Sequence, residues 1–505
     1  MRKGAVFLIL TLVFAVAYTQ SPLFTSNQNQ YFLHGFARAG LGYLNQDWLA
    51  NTLDPTPVFS LIVTLTQAYN LSITYYIYYA LLMGLYLFSL LGIVSSTFDV
   101  RSSRGITILY LSLLILVHSA ALRFAFSRTL GDNWAYILED GVADQRLLGS
   151  VFQPSTFGVL LVFSIYLFLR QRPYLAVLSA AIAAIVHPTY LLSAGVLTLA
   201  YILLTYHEER QLIKPILLGG LALLVVSPVL IYVFSSFGVL ASDAARRAQD
   251  ILVNIRIPHH ARIDWWFDAT AVIKIILVLV AITLVRSSRR LFIVLLTLFL
   301  AATSLTIVQW LFDSSTLALI FPWRLSTFLV PISTALILGF LTATLASRYS
   351  EQIAGHQNVL TAVGLIIISL TVIVGLVRLK LDFARKAYSP ERPVMDFVLA
   401  NKDSSELYLT PVKMQDFRLQ TGAPAFVDFK SIPYHHFDVL EWRRRVQLAD
   451  AFYKGEDCAA LERIAKESGV THVVIDLERS NPTCPQLAIV YQDDHFRLYE
   501  IMQSD

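Results

Sequence analysis

Two carboxylates, Asp47 and Asp54, lie in a polar stretch from Asn45 to Pro57, close to the start of the chain. A carboxylate that is partly desolvated, or that lies near a cation, can act as a general base or stabilise developing charge. Asp54 precedes Pro55, and Asp-Pro is a common turn initiator, so its alternative role is to form a turn or to cap the helical segment that follows. For Asp47 the alternative is an ordinary solvated loop carboxylate.

Cationic side chains that could bind a phosphate follow later in the chain. Arg324 comes after Phe321-Pro322-Trp323, next to an apolar run, where a guanidinium can donate two hydrogen bonds to phosphate oxygens or extend to the membrane surface. A second group could form a phosphate site or an interfacial belt anchored by Trp265 and Trp266. Its members, all within one connection, are Arg256, His259, His260 and Arg262.

A second acidic segment runs from Glu139 to Arg146 and contains Asp140 and Asp144. Its carboxylates could complete an acceptor site, or could hold a divalent cation together with Asp47, because oxygen ligands suit hard cations. The alternative is a solvated amphipathic helix with an Asp-Arg pair. No cofactor is required by any of these patterns.

The composition requires that these residues be positioned by membrane helices. The chain has 505 residues, of which 56% are hydrophobic and only 15% charged, and its formal net charge is +4. This is too apolar for a soluble protein of such length, and the lysines and arginines occur in short clusters rather than in one basic stripe. Membrane lipids are therefore expected partners, and nucleic acid is not.

About eleven apolar runs are long enough to be read as transmembrane helices. Because the chain begins Met1-Arg2-Lys3 and lacks an Ala-x-Ala-like site after the first run, that run is interpreted as a retained helix rather than a signal peptide. Lys274 lies near a helix end, from which it could extend to the surface. The predicted spans are 4–20, 74–97, 105–123, 153–170, 174–187, 189–206, 214–236, 268–285, 290–311, 324–346 and 357–378.

The distribution of Lys and Arg predicts the orientation of these helices. Alternate connections are basic, which favours a cytoplasmic N-terminus, provided that residues 57–69 form a helix that does not cross the membrane. The outer connections are long and carry most of the carboxylates, histidines and tryptophans near the membrane. They are 21–73, 124–152, 237–267 and 312–323.

Residues 1–380 are thus predicted to form a transmembrane domain, and residues 381–505 a small α/β domain outside the membrane. Charged and aromatic residues replace the apolar runs after Arg378, and short β-rich segments alternate with helical ones. Both cysteines, Cys458 and Cys484, lie here. In an oxidising compartment they could form a disulfide and stabilise the domain by about 3 kcal/mol; two free thiols are the alternative.

These features resemble the GT-C superfamily of membrane glycosyltransferases, in a bacterial branch. The resemblance rests on the charged start and first helix, the early Asp47, the segment Asp54-Pro55-Thr56-Pro57-Val58-Phe59, the later Phe321-Pro322-Trp323-Arg324 and the C-terminal domain. Two features depart from it: Asp54 stands where His is common, and Asp47 has no adjacent acidic partner. The absence of a Trp-Trp-Asp-Tyr-Gly motif argues against an oligosaccharyltransferase of that kind.

The resemblance implies a polytopic inner-membrane enzyme that transfers a sugar from a polyprenyl-phosphate donor to an acceptor at the outer face. It implies that Asp47 is the base or the acceptor-positioning residue, with Asp54, Arg324 and the groups at 139–146 and 256–262 as substrate-binding candidates. The competing interpretation is a non-catalytic membrane protein, either a lipid transporter or an assembly scaffold. Motifs for nucleotide hydrolysis, zinc proteolysis and serine hydrolysis are missing from the sequence.

Overall fold

The computed structural model describes residues 2–238 and 242–502. The described chain is mainly helical. The α-helices are α1 (Arg2–Tyr18), α2 (Gln28–Tyr31), α3 (Leu33–Arg38), α4 (Pro57–Ala68), α5 (Thr74–Val94), α6 (Arg104–Val117), α7 (Ala120–Leu130), α8 (Val159–Leu169), α9 (Pro173–Val186), α10 (Leu191–Glu209), α11 (Ile213–Phe237), α12 (Asp243–Asp250), α13 (Pro258–Ala261), α14 (Ile263–Trp266), α15 (Ala269–Leu284), α16 (Arg289–Phe312), α17 (Ser315–Ile320), α18 (Ser326–Arg348), α19 (Ser350–Gly355), α20 (Gln357–Ala387), α21 (Arg392–Asn401), α22 (Phe417–Thr421), α23 (His436–Gly455) and α24 (Cys458–Ser468).

Short 3₁₀ segments connect several of these helices, and Ile251–Arg256 forms a π-helix. The 3₁₀ segments are Leu44–Gln46, Leu49–Asn51, Asp132–Trp134, Pro154–Gly158, Pro188–Tyr190 and Pro322–Leu325.

Six of the described helices are long and apolar enough to cross a membrane. A seventh crossing is formed if α6 and α7, bent by 53° at residues 118–119, count as one span. Ser119 explains the bend, because its hydroxyl accepts a hydrogen bond from the Leu122 amide and so begins a new helix. The six long segments are Thr74–Val94, Pro188–Glu209, Ile213–Phe237, Arg289–Phe312, Ser315–Arg348 and Gln357–Ala387.

The prediction of a membrane protein with many apolar helices is confirmed, whereas the number of about eleven crossings stays a prediction. Several predicted spans coincide with apolar helices of only 10–17 residues, among them Gly4–Tyr18, Pro154–Leu169, Pro173–Val186 and Ala269–Leu284. The segment 57–69, expected not to cross, forms α4 with 12 residues.

The chain divides into two compact units. The first unit comprises Met1–Gln20, Tyr76–Tyr232 and Val253–Lys380. Its helices pack closely where small residues allow it: α9 presents alanines to α8 and α10, and Ala176, Ala180 and Ala183 are fully buried. In the same unit α18 packs against α15 and α6.

The second unit comprises Ser21–Tyr75, Val233–Leu252 and Leu381–Asp505. Its sheet contains β1 (Tyr408–Leu409), β2 (His472–Asp476), β3 (Leu487–Gln492) and β4 (Phe496–Ile501) in the order β1-β2-β4-β3. β1 and β2 are parallel, and the other two pairs are antiparallel. Helices α21 to α24 accompany the sheet, so the prediction of a small C-terminal α/β region is confirmed.

Candidate functional site

Asp47 lies in the second unit and its side chain is fully buried. Its Oδ1 accepts hydrogen bonds from the amides of Leu49 at 2.9 Å and Ala50 at 3.3 Å, which caps the 3₁₀ segment that follows. Its Oδ2 accepts from the Arg418 Nε at 2.6 Å and from the Ala425 amide at 2.9 Å. Each carboxylate oxygen therefore already has two donors.

Arg418 connects Asp47 to a second buried carboxylate, Asp428. The side chains of Arg418 and Asp428 are 3% and 2% exposed. One guanidinium nitrogen donates to Asp428, and another donates to the Ala425 carbonyl at 2.7 Å. Burial raises the pKa of Asp428, although Arg418 opposes this shift. All three charged side chains are thus hydrogen-bonded, as a buried ionic group requires.

A catalytic role for Asp47 stays a prediction. The contacts visible in the second unit give it a positioning role, since it orders Leu49–Asn51 and ties that segment to residues 418–428. The backbones of these two segments are also hydrogen-bonded to each other, because the Tyr43 amide donates to the Gly422 carbonyl at 2.8 Å.

Asp54 shapes the start of α4. Its Oδ1 accepts from the Thr56 amide at 2.9 Å, an arrangement typical of turns that precede proline. Its Oδ2 lies 3.0 Å from a nitrogen of the half-exposed Arg38. The contact with the Thr56 amide agrees with the turn alternative, while a role in substrate binding stays a prediction.

His34 borders a pocket beside this loop. The pocket has a volume of about 10 Å³, room for about one water molecule, and Tyr31, Pro55 and Thr56 line it together with His34. The His34 Nδ1 lies 3.1 Å from the Ala50 carbonyl. Because a carbonyl only accepts, Nδ1 carries the proton and Nε2 carries the lone pair. Burial lowers the pKa of His34, which keeps the ring neutral near pH 7.

In the first unit, three elements hold the acidic segment 139–146. The buried Lys274 donates from Nζ to the Gly141 carbonyl at 2.9 Å, and the His260 Nδ1 donates to the Ala143 carbonyl at 2.7 Å. The Ser326 hydroxyl accepts from the Val142 amide at 2.8 Å. The segment is therefore not the amphipathic helix considered from the sequence, because its backbone groups bond to side chains of other elements.

The expectation that Lys274 extends to the surface is wrong, because its ammonium is hydrogen-bonded inside the protein. Its side chain is 3% exposed, and its ammonium is satisfied by a buried carbonyl instead of by water.

Glu139 and Asp140 are buried, and each pairs with an arginine. Arg123 lies 3.0 Å from the Glu139 Oε1, and Arg146 lies 2.6 Å from the Asp140 Oδ2. The Glu139 Oε2 is buried and has no hydrogen-bond partner in the described chain. Burial raises the pKa of Glu139 to about 7, although Arg123 opposes the shift. Burial also raises the pKa of Asp140. Asp144, by contrast, is exposed.

The sequence indicates these carboxylates as possible ligands of a divalent cation. Residues 2–238 and 242–502 contain no cluster of three or more His, Cys, Asp or Glu side chains that could hold a metal ion.

Arg324 lies in the 3₁₀ segment just before α18, where it is held by a histidine. Its Nη2 lies 2.8 Å from the His187 Nε2, and its guanidinium lies 5.1 Å from the centre of the Tyr190 ring. Since arginine only donates, His187 accepts at Nε2 and is neutral. Within the described ranges no carboxylate forms an ion pair with Arg324, and its Nε is buried without a hydrogen-bond partner.

The two histidines of the 256–262 group have different contacts from Arg262. His259 stacks on His260, with ring centres 4.0 Å apart, and burial lowers the pKa of His260 to about 3. The Arg262 side chain is 40% exposed and pairs with Asp264 at 2.6 Å. The structure therefore brings together 139–146, His260 and 322–327, whereas Arg262 forms its ion pair outside this cluster.

Cys458 and Cys484, the second unit's cysteines, are joined by a disulfide. It connects the start of α24 to the segment before β3, 26 residues later.

Sequence reasoning missed two residues of the second unit, Arg418 and His34. Arg418 stands in the short helical segment Phe417–Thr421, and its buried partner is 371 residues away. His34 lies in α3 without a recognisable motif. The only local signal was their polarity at positions that the helical pattern places next to buried Leu33, Phe36 and Phe417.

Comparisons with known proteins add little beyond this geometry. Residues 389–449 match a domain of unknown function, DUF6798. No curated protein matches the chain. The crystal structure of the Archaeoglobus fulgidus oligosaccharyltransferase in the apo form is similar with a TM-score of 0.47 and 11% identity, covering 94% of this chain and 69% of that one.

The same Archaeoglobus enzyme in complex with Zn and sulfate gives a TM-score of 0.45 at 11% identity, covering 94% of this chain and 68% of that one. The Archaeoglobus AglB complex with an inhibitory peptide and a dolichol-phosphate gives 0.41 at 11% identity, with 94% and 69% covered. Because these TM-scores are below 0.5, the function proposed for this chain rests on its own residues.

Proposed function

We propose that this chain is a GT-C-like membrane glycosyltransferase that moves a sugar from a polyprenyl-phosphate donor to an acceptor on the outer face of a bacterial inner membrane. The N-terminus would be cytoplasmic and residues 381–505 extracytoplasmic. The proposal is supported by the apolar helices, by the long polar connection 21–73 after the first helix and by the C-terminal α/β region.

The observation that carries the proposal is the environment of Arg324. Arg123, Arg146 and Arg262 in the same unit each pair with a carboxylate, and Arg324 has a neutral imidazole instead. A guanidinium without a counter-ion, at the start of an apolar helix, is suited to an anion that arrives with a lipid. The phosphate of a polyprenyl-phosphate sugar has that chemistry.

Arg324 would stabilise the negative charge that develops on the phosphate as its bond to the sugar breaks. His187 would keep the guanidinium in place, because its Nε2 accepts one of the guanidinium hydrogens. The neutral imidazole would not compete with the phosphate as a carboxylate would.

Binding of the lipid can be measured with a photoreactive polyprenyl phosphate and the purified full chain in liposomes. Arg324→Gln is expected to weaken crosslinking about 10- to 100-fold, since a hydrogen bond to a charged group contributes about 1.5–3 kcal/mol. Arg348→Gln, at the other end of α18 and exposed, is the matched control and should bind as the wild type does. Equal crosslinking of both variants would contradict a phosphate site at Arg324.

A further inference from the structure

Residues 141–145 contact residues 321–327 within the first unit, and this contact is called the joint below. We infer that Asp144 is the general base of the proposed transfer and that the acceptor group it activates is a hydroxyl. This inference rests on the proposed function, and it leaves Asp47 with the positioning role that its contacts give it in the second unit. The two groups that the inference requires, Asp144 and Arg324, belong to the same unit.

Asp47 is poorly suited to take a proton from an acceptor. Its side chain is fully buried, and its two oxygens accept four hydrogen bonds, one of them from the Arg418 guanidinium. Protonation would break part of this network and remove the counter-charge of a buried cation. Glu139 and Asp140 are also buried, whereas Asp144 is exposed and can be reached by an acceptor.

The first support is the way in which the fold presents Asp144. Every residue from 137 to 149 is buried or half-buried except this one. Its carboxylate forms no hydrogen bond or ion pair with the part of the chain that the structure describes. Ala143 and Asp144 have φ values of +60° and +50°, a left-handed backbone that is unfavourable for alanine. Such strain persists only where the surrounding structure imposes it, and it is concentrated at functional sites.

The surrounding structure does impose it, because side chains of three other elements bond to the backbone of 141–143. Lys274 and His260 donate to carbonyls of this turn, and the Ser326 hydroxyl accepts from one of its amides. The backbone at Asp144 is therefore fixed, and only the two side-chain torsions of the aspartate are left to adjust. A base needs such a defined position relative to its substrate.

The second support is that the joint places Asp144 close to Arg324. The Val142 amide donates to the Ser326 hydroxyl at 2.8 Å, and a Cβ at Gly141 would lie 2.6 Å from the same oxygen. Asp144 follows Val142 by two residues and Arg324 precedes Ser326 by two, and two residues span at most about 7 Å. In a displacement at the anomeric carbon, the attacking hydroxyl and the leaving phosphate oxygen bind one carbon atom. The base and the phosphate-binding cation must therefore be near neighbours.

The third support is a set of unpartnered polar atoms on both sides of the joint. The Trp323 Nε1 and the Arg324 Nε are buried donors without a partner among the described residues, and the Gln145 Oε1 is a buried acceptor without one. The Trp323 and Gln145 side chains are only 7% and 1% exposed. Such atoms cost stability unless a ligand or water engages them. Donors beside Arg324 match phosphate oxygens, and an acceptor beside Asp144 matches a hydroxyl.

The step balances without a further reactant. The acceptor oxygen forms a bond to the anomeric carbon of the sugar while its proton moves to a carboxylate oxygen of Asp144. The bond between that carbon and the phosphate oxygen breaks, and its electron pair leaves with the polyprenyl phosphate. The protonated Asp144 is exposed, so it then returns the proton to water.

Asp144→Asn is the decisive variant, because asparagine has the same shape and also tolerates a left-handed backbone but cannot take a proton. We expect kcat to fall about 10²- to 10⁴-fold, the usual contribution of a general base, with unchanged crosslinking to the photoreactive polyprenyl phosphate. Asp99→Asn replaces another exposed aspartate of the first unit and is the matched control, which should transfer at the wild-type rate. A role of Asp144 in the turn alone predicts no loss in Asp144→Asn.

Asp144→Gly tests the proton transfer itself. Glycine removes the carboxylate and adopts a φ of +50° without strain. Added formate can occupy the vacated space and take the proton, so it should restore part of the lost rate in this variant and none in Asp144→Asn, where the amide fills the space. Loss of transfer in both variants without recovery in formate would make Asp144 a binding residue and contradict the inference.

Thermal unfolding of the full chain in detergent separates a catalytic from a structural role without any transfer assay. Both variants should unfold at or above the wild-type temperature, since neither replacement adds strain to the turn. A clearly lower unfolding temperature in Asp144→Asn would make Asp144 a structural residue and overturn the inference.

The transfer assay distinguishes failure of the inference from failure of the proposed function. Wild-type rates in Asp144→Asn would overturn the inference and leave the proposed transfer intact. If the wild type transferred no sugar from any donor, the proposed function would be contradicted, and the assignment of a base to it would fail with it.

Discussion

Arg418 and Asp47 form an ion pair in the second unit, with Nε and Oδ2 2.6 Å apart and side-chain exposures of 3% and 0%. The two residues are 371 positions apart, so the pair ties the segment after α3 to the segment that carries α22. Asp428 completes the group on the other side of the guanidinium. A buried ionic cluster of this kind is sensitive to loss of one partner, because the remaining charge stays desolvated.

Arg418→Met should therefore destabilise the second unit strongly, by about 3–5 kcal/mol, since it leaves two buried carboxylates without their cation. Thermal unfolding of the purified chain in detergent measures this. Arg463→Met is a control in the same unit, because Arg463 and Glu467 form an exposed pair on α24 whose loss should cost at most about 1 kcal/mol. A similar small effect for both variants would show that the cluster contributes little to stability.

Gly42 should tolerate no side chain. Its φ is +52°, and a Cβ there would lie 2.3 Å from the Gly422 carbonyl oxygen, a clash with backbone that a rotamer change cannot relieve. Gly42→Ala should lower the unfolding temperature more than Gly40→Ala, which has φ +78° but open space around its Cβ position. The Gly40 variant isolates the cost of the backbone conformation, about 1 kcal/mol. Equal losses would mean that the close approach of residues 42 and 422 is not maintained.

Glu139 should make stability depend on pH in a defined window. Its pKa is raised from 4.5 to about 7 by burial, so the folded state binds its proton more tightly than the unfolded state does. The stabilisation is fully present below pH 4.5 and is lost as the pH rises to about 7, by about 1.4 kcal/mol per pH unit.

The difference in unfolding free energy between wild type and Glu139→Gln isolates this effect, because other groups titrate in both proteins and cancel. That difference should change between pH 4.5 and 7 and be constant above pH 8. Parallel stability curves across the whole range would contradict a raised pKa at Glu139.

Hydropathy and local patterns predicted much of the fold. The apolar runs coincide with helices, and Asp493 and Asp494, residue types typical of turns, lie between β3 and β4. Such features depend on residues close in sequence, where the periodicity of apolar residues reports directly on burial. The short parallel strand at Tyr408–Leu409 has no comparable local signal, because its extent depends on pairing with β2 rather than on its own residues.

The sites could be predicted only in part. Asp54 before Pro55 has a local signature, and its contact with the Thr56 amide follows from it. The partners of Asp47, His34 and Lys274 have no such local signature, since each of these side chains bonds to a group that is positioned by tertiary structure. Buried polar contacts of this kind depend on which backbone groups the fold leaves unpaired, and a single sequence does not contain that information.

Sugar transfer itself tests the account most directly. The full chain in liposomes would be given a panel of radiolabelled polyprenyl-phosphate sugars and alcohol acceptors, and labelled product would be separated from lipid. We predict transfer by the wild type and by Arg348→Gln, and a loss of at least tenfold for Arg324→Gln. No transfer by the wild type from any donor in the panel, or equal rates for Arg324→Gln and the wild type, would contradict the proposed glycosyltransferase.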